Sequence, residues 1–253
     1  MAEAVVLGSG TSNGVPMLGM AYPPEFLQNP KNHRTRCALL LRGPVGNVLV
    51  DCAPEMRLQL LEAHVLDLEA VIITHTHADH IMGMDDLRSF CIVQKRAMPV
   101  YTLTKHMPDI RRIFPYAFQE SAEGIEVPRF DLREMPSTAE IAGLKIESMV
   151  VEHGSMPVIA LRVNDFAYVT DVGGIPPEAE AKLQGLETLI LDAVRYKPHP
   201  NHFHYDLAIE WAQRLGAKKT YFTHLSHDYD HDKVNAELPD EIELAYDGLR
   251  ISI

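Results

Sequence analysis

Short apolar runs rich in β-branched residues recur along the chain, each bounded by turn residues or charges, and their length predicts strands. They lie at residues 4–7, 37–41, 47–50, 70–73, 144–151, 158–163, 166–169, 188–191, 220–222 and 249–253. Between them, residues 55–63, 84–93, 105–114, 177–183 and 206–215 carry apolar positions at helical spacing, several opened by Pro, Thr or Asp. Those residue types are helix-start signals. Consecutive strands followed by strand–helix–strand fill the first half, and the second half repeats that order. The pattern predicts a layered α/β or α+β domain with two sheets packed face to face and helices outside. Order along the chain leaves the strand topology open.

Nothing divides the chain: there is no repeat, low-complexity tract or Gly/Ser linker. With 253 residues, 46% of them hydrophobic, one domain over residues 1–253 is expected. Lys and Arg number 23 against 35 Asp and Glu, a net charge of −12. That charge repels phosphate backbones over most of the surface and argues against a general nucleic-acid binder. No apolar run reaches the roughly 18 residues of a spanning helix, and the first residues lack the basic and apolar regions of a signal peptide. A cytoplasmic protein without a membrane partner is expected. Cys37, Cys52 and Cys91 form no Cys-x-x-Cys pair, so neither a disulfide framework nor a cysteine zinc site is indicated. The 13 histidines raise the expectation of metal ligands.

Their placement carries the chemistry. Directly after the run at 70–73 stands Thr74-His75-Thr76-His77-Ala78-Asp79-His80. In extended chain His75 and His77 point the same way, and Asp79 and His80 follow where the backbone turns into a helix. Imidazole and carboxylate donors at this density suit zinc, manganese or iron, and they are costly to bury without compensation. One loop cannot close two coordination shells. His153, Asp171 and His224 each follow a later strand, with a Gly or Ser within the next two residues, and together with the loop they complete seven donors. Taken singly, each also reads as a turn or capping residue.

This pattern of His-x-His-x-Asp-His followed by His, Asp and His resembles the metallo-β-lactamase superfamily over nearly the whole chain. The resemblance implies an α+β fold, a four-layer αββα sandwich with two divalent metal ions, zinc or manganese, at one edge. It implies that His75, His77 and His153 hold one metal, that Asp79, His80 and His224 hold the other, and that Asp171 bridges them. Such a pair makes a hydroxide nucleophile available at neutral pH and clamps the attacked oxygen. Leu7-Gly8-Ser9-Gly10-Thr11, Gly14-Val15-Pro16, Leu49-Val50-Asp51, Thr223-His224-Leu225-Ser226-His227 and Tyr246-Asp247-Gly248 resemble the branch containing tRNA 3′-processing endonucleases and a phosphoribosyl cyclic phosphate phosphodiesterase. In that branch Asp51 would fix the tautomer of a ligand imidazole. His202, 22 residues before His224, matches the general-acid histidine. His204 reads either as a substrate contact or as the cap of the helix at 206–215.

Two departures matter. The tRNA enzymes carry a long basic arm between the positions of His153 and Asp171, where this chain has 17 residues and one basic side chain, Arg162. The cyclic phosphodiesterase carries a three-cysteine structural zinc site completed by a histidine, whose positions here are Met20, Tyr22, Glu25 and His227. That zinc is expected to be absent. Candidate contacts for substrate charge are Arg34, Arg36, Arg195, Lys197 and above all Arg88, whose alternative is an ion pair with Asp85 or Asp86. The expected function is a metal-dependent phosphodiesterase acting on a small phosphorylated, cyclic substrate such as 5-phosphoribosyl 1,2-cyclic phosphate. In it Asp79 positions or deprotonates the attacking water and His202 protonates the leaving oxygen. The alternatives are a tRNA-processing nuclease and a thioester or lactone hydrolase. Homodimerisation is a further expectation by resemblance, with Phe90, Ile92, Phe114, Tyr116 and Phe118 lining an interface or, as favoured, the core.

Overall fold

The computed structural model describes residues 2–119 and 125–253. The first half contributes β1 (Glu3–Gly8), β2 (Ala38–Gly43), β3 (Gly46–Val50), β4 (Ala70–Ile72), β5 (Met98–Thr102) and β6 (Phe130–Glu134). The second contributes β7 (Thr138–Ile141), β8 (Leu144–His153), β9 (Met156–Val163), β10 (Phe166–Val169), β11 (Thr188–Asp192), β12 (Lys219–Thr223) and β13 (Ile242–Leu244), and β14 (Arg250–Ser252) returns to pair with β1. The strands form two seven-stranded sheets, ordered β14-β1-β2-β3-β4-β5-β6 and β13-β12-β11-β10-β9-β8-β7. In each sheet antiparallel neighbours give way to parallel ones, at β3 in the first and at β10 in the second.

The side-chain period of two along each strand generates three apolar layers. In β1, Val5 and Leu7 face Met56 and Leu60 of α2 (Met56–Glu62) on the outside of the first sheet. Ala4 and Val6 face inward, in the same cluster as Ile146, Ile159, Leu161 and Tyr168 of the second sheet. On the far side, Leu189 and Leu191 of β11 lie under Ala208, Ala212 and Leu215 of a long helix at residues 205–215. Both faces of the central strands are covered, which is why they read as continuous apolar runs. Each fully buried Leu, Ile or Val contributes about 1.5–3 kcal/mol.

The remaining helices are α1 (Pro24–Gln28), α3 (Ala78–Ile81), α4 (Arg88–Val93), α5 (Met107–Ile113), α6 (Pro177–Lys182), α7 (Tyr205–Leu215) and α8 (His231–Asn235). α7 ends at Gly216, whose left-handed φ of 65° lets its N–H return to the Ala212 carbonyl. Among the described residues no helix is long and apolar enough to cross a membrane.

The expected α+β sandwich of four layers is what the chain forms. Besides the strands β5, β6, β7 and β13, absent from the sequence reading, two details differ from it. The helix expected at 84–93 is a 3-10 stretch, Met82–Leu87, that passes into α4 only at Arg88. Gly83 sits so close to the backbone of Ala53 that a Cβ would meet its carbonyl oxygen at 2.1 Å, so packing against α2 sets this geometry. Of the aromatic and aliphatic residues weighed as interface or core, Phe114 is buried and Phe90 and Phe118 pack against the first core, while Ile92 and Tyr116 remain 39% and 38% exposed.

β1, β3 and β4 of the first sheet run in one direction, as do β8, β10, β11 and β12 of the second. Their carboxyl ends converge on one rim of the sandwich, the position where α/β sheets place their sites. Backbone bonds stitch the two sheets together there: Ile159 N–H to the Thr74 carbonyl (3.1 Å), Thr11 N–H to Leu225 (3.0 Å) and Leu225 N–H to Ser9 (2.9 Å). Asp247 braces the same rim, its buried carboxylate accepting from the N–H and hydroxyl groups of both Ser9 and Thr35.

Candidate metal centre

Every histidine and carboxylate of the centre sits at the end of a strand or on the short helix after β4. His75 follows β4, and His77 occupies the cap position of α3, which carries Asp79 and His80. His153 ends β8, Asp171 follows β10, and His224 follows β12. Asp51, Asp171 and His224 turn sharply out of their strands with left-handed φ values of 65°, 49° and 58°. For residues with a Cβ this conformation costs about 1–3 kcal/mol and persists where the surrounding structure imposes it, as functional sites do.

The seven donors form two neighbouring groups. Ligand atoms of His75, His77, His153 and Asp171 all lie within 4.8 Å of one another, as do those of Asp79, His80 and His224. Asp171 stands between the groups: its Oδ2 is 3.8 Å from His75 Nε2 and 3.5 Å from His224 Nε2, and its Oδ1 is 3.2 Å from His80 Nε2. Asp79 Oδ2 lies 3.4 Å from His80 Nε2 and 3.6 Å from His224 Nε2.

Outer partners fix the rings. His80 Nδ1 donates to Asp51 Oδ2 at 2.7 Å, and Asp51 in turn accepts from the N–H and hydroxyl of Thr74. Asp51 thus accepts from an imidazole from behind, the contact that the resemblance implied, and is more than a strand-end turn residue. His153 Nδ1 donates to the Asn201 carbonyl at 2.8 Å, and Thr170 Oγ1 donates to Asp171 at 2.7 Å. Asn201 is wedged between the turns after His153 and Asp171. A Cβ on Gly154 would meet its side chain at 2.7 Å, and one on Gly173 its carbonyl oxygen at 2.7 Å.

The donor set fits divalent cations. His80 Nε2 and both ring nitrogens of His224 are buried without a hydrogen-bond partner, an expensive arrangement unless something else engages them. Burial lowers the pKa of His75, and the charge of His80 lowers it further; burial also lowers His77 and His153, leaving these imidazoles in the neutral form that ligates. For Asp171 burial acts upward, yet His224 and His80 hold it well below the usual carboxylate range. His224 is the converse case: burial opposes its charge, but Asp171 and Asp79 lift it to about 9. The pocket thus concentrates negative charge where cations would sit.

A second histidine pair adjoins the donors. His202 Nδ1 lies 2.8 Å from Oδ2 of fully buried Asp192, which also accepts from Val172 N–H at 3.0 Å. The His202 ring is stacked on His224 with centroids 4.8 Å apart and edge-on to His153 at 4.5 Å. Asp192 escaped the sequence reading, although it ends an apolar run as Asp51 and Asp171 do; that shared pattern was the available signal.

Other candidates lie apart from this cluster. Arg88 is ion-paired with Asp85, whose other oxygen accepts from Tyr116, and its remaining reach is to the Glu126 carbonyl. His204 stands at the cap position of α7 without a side-chain capping bond. No hydrogen bond or ion pair among the described residues joins either to the donor cluster. At the positions of the expected missing zinc, Tyr22 stacks on Phe26 at 5.1 Å and meets His227 edge-on at 6.3 Å, and its hydroxyl accepts from Met17 N–H. These four residues form no donor group.

Comparison with known proteins agrees with this geometry. A β-lactamase superfamily domain model matches residues 46–225. An octanoyltransferase of Porphyromonas gingivalis is 33% identical over 256 residues, a match that takes in 99% of this chain and 51% of that protein, so the chain spans about half its length. Among solved structures, a new diphosphatase from the PhnP family superposes with a TM-score of 0.90 at 35% identity, covering 99% of this chain and 96% of that one. The short form of human tRNase Z superposes with a TM-score of 0.69 at 19% identity over 99% of each chain, a likeness of fold alone.

Proposed function

The chain belongs to the metallo-β-lactamase superfamily, and from that premise we propose that it is a metal-dependent hydrolase of a small, cyclic phosphodiester such as 5-phosphoribosyl 1,2-cyclic phosphate. The observation that carries this reading is the pairing of His202 with buried Asp192, set against the donor cluster. Hydrolysis of a phosphodiester expels an alkoxide, which needs a proton at once. With Nδ1 bonded to Asp192, the opposite nitrogen of His202 is the one left to deliver it, and the Asp192 carboxylate stabilises the imidazolium that precedes delivery.

His75, His77 and His153 would hold one metal ion, Asp79, His80 and His224 a second, and Asp171 would serve both, the whole of residues 1–253 acting as one unit because both halves supply donors. When bound, such a pair supplies Lewis acidity, ionising water near neutral pH and polarising the phosphoryl oxygen. Asp79, held ionised by His224 and His80 against the upward pull of burial, accepts a hydrogen bond from the attacking water and aims it. Thr170 keeps Asp171 in its rotamer, and Asp51 keeps His80 in its own.

The likeness to a diphosphatase at 35% identity supports chemistry at phosphorus. Gripping of tRNA by a basic arm is disfavoured: residues 154–170, where such an arm would be inserted, are taken up by β9, β10 and their tight turns. Covalent acyl transfer is disfavoured too, since Cys37, Cys52 and Cys91 are all buried and burial pushes the Cys37 and Cys52 thiols up, away from the nucleophilic thiolate.

Manganese- or zinc-loaded protein should hydrolyse bis-p-nitrophenyl phosphate and 5-phosphoribosyl 1,2-cyclic phosphate, lose both activities on chelation and regain them with metal. Cleavage of a thioester or a precursor tRNA in the same panel, with silence on both diesters, would overturn the reading.

A further inference from the structure

We propose that Asp192 is a positioning residue for two imidazoles at once, holding the proton donor His202 through Oδ2 and the donor-cluster histidine His224 through Oδ1, so that one carboxylate couples the second metal group to the general acid. The inference rests on the two metal groups given under the proposed function and goes beyond the contact between Asp192 and His202. That contact uses half of the side chain. Asp192 is fully buried, and its Oδ2 accepts from His202 Nδ1 at 2.8 Å and from Val172 N–H at 3.0 Å. Its Oδ1 has no hydrogen-bond partner, nor has His224 Nδ1, and these two buried atoms face each other at 3.7 Å. Each is costly alone, and the two are complementary, since an imidazole N–H donates and a carboxylate only accepts.

The donor cluster sets the tautomer. His224 Nε2 is the nitrogen turned toward the other donors, 3.5 Å from Asp171 Oδ2 and 3.6 Å from Asp79 Oδ2. With the lone pair of Nε2 given to an ion, the proton stays on Nδ1 and points at Asp192. The separation is about 0.8 Å longer than an ordinary N–H···O bond, within reach of a small rotation of either side chain. A carboxylate in this position fixes the ring and raises its basicity as a ligand. Asp51 stands behind His80 in the same way, so each imidazole of the second group is backed by a carboxylate at the end of another strand.

The backbone brings the three side chains together. β11 and β12 are parallel neighbours with Asp192 opposite Thr223, the residue before His224, and Ala193 N–H donates to the Thr223 carbonyl at 3.1 Å. The chain then loops out and returns, Val194 N–H meeting the Phe203 carbonyl at 2.9 Å and Phe203 N–H the Val172 carbonyl at 2.6 Å, which fixes His202 beside both. The rings of His202 and His224 lie 10° from parallel and present their Nδ1 atoms to the two oxygens of the same carboxylate. Only a side chain that accepts at both ends serves here. In Asp192→Asn the amide oxygen is kept at the Oδ2 position by Val172 N–H and His202, and the NH2 group is turned toward the N–H of His224, donor against donor.

Competition with a chromogenic chelator for zinc reads the two ions without turnover. Asp192→Asn should bind one ion about tenfold to a hundredfold more weakly than the wild type and the other with unchanged affinity. A carboxylate that served His202 alone would leave both affinities unchanged, and that result would overturn the proposal. Equal weakening of both ions would overturn it too, as a general loosening of the centre. Proton NMR of the zinc-loaded wild type gives a second reading that no folding defect can spoil. The imidazole proton of His224 should be assigned to Nδ1 and shifted downfield by its carboxylate partner; a proton on Nε2 would overturn the proposal. A wild type that binds two zinc ions and cleaves neither diester refutes the phosphodiesterase reading alone, because both measurements here are made without substrate.

Discussion

At the scale of single residues, the roles assigned to His202 and Asp171 make different demands. His202→Ala removes a proton donor but no donor atom of the two proposed metal groups, so kcat on a diester should fall about a hundredfold or more while elemental analysis finds the metal content unchanged. Unaltered turnover would strip His202 of the role. Asp171→Ala should instead lower metal occupancy, because its two oxygens face His75, His80 and His224 at once; a variant that keeps two ions per chain would end the case for a bridge. Away from the centre, His231 is buried, its Nε2 accepts from Asn235, and burial together with the charges of Lys31 and Arg34 outweighs Asp232 and Glu243 to push its pKa down to about 4. The unfolded chain takes up a proton near the ordinary value of about 6.5 while the fold resists, so His231 supports the fold fully above that value and loses its contribution as pH falls toward 4. Urea unfolding of metal-free protein should show His231→Gln losing less stability than the wild type across that interval, by about 2 kcal/mol; parallel curves would refute this.

At the scale of elements, what sequence could and could not disclose follows from what each segment buries. Strands such as β2, β10 and β11 are buried on both faces, and their unbroken apolar runs announce them. β5 carries Pro99, β7 reads Thr-Ala-Glu-Ile with only its last residue buried, and β13 has three residues; each is a strand because its neighbours pair with it, a condition invisible along the chain. β6, with buried Phe130 leading into half-exposed and exposed positions, escaped for the same reason. The centre was more legible than the strands, since His-x-His-x-Asp-His concentrates four donors in six residues. Asp192 was harder to see, because its role comes from contact with His202 and not from spacing. The wedge of Asn201 offers a test at this scale. Gly173→Ala should push the Asn201 backbone away from the turn after Asp171, displacing His202 from Asp192 and costing activity about tenfold or more, with metal content largely kept. Wild-type kcat in Gly173→Ala would show the wedge to be dispensable.

At the scale of the whole molecule, the donors come from both sheets: His75, His77, Asp79 and His80 from the first, His153, Asp171 and His224 from the second. Ions bound only by the native arrangement should therefore hold the two sheets together, and chelation should lower Tm by several degrees, reversibly on adding zinc or manganese. An unchanged Tm in chelator would mean that the rim is held by its backbone bonds and Asp247 alone. β1 runs from the far side of the sandwich toward the donor cluster. It starts at Glu3, beside Ser252 of β14, and reaches the rim that carries the donors only at Gly8. Glu3 and Ser252 therefore share the side of the sandwich remote from the donor cluster. Whatever polypeptide is joined there, before or after, hangs like a handle opposite the mouth, and a fluorescent protein fused at either end should leave kcat/KM within about twofold.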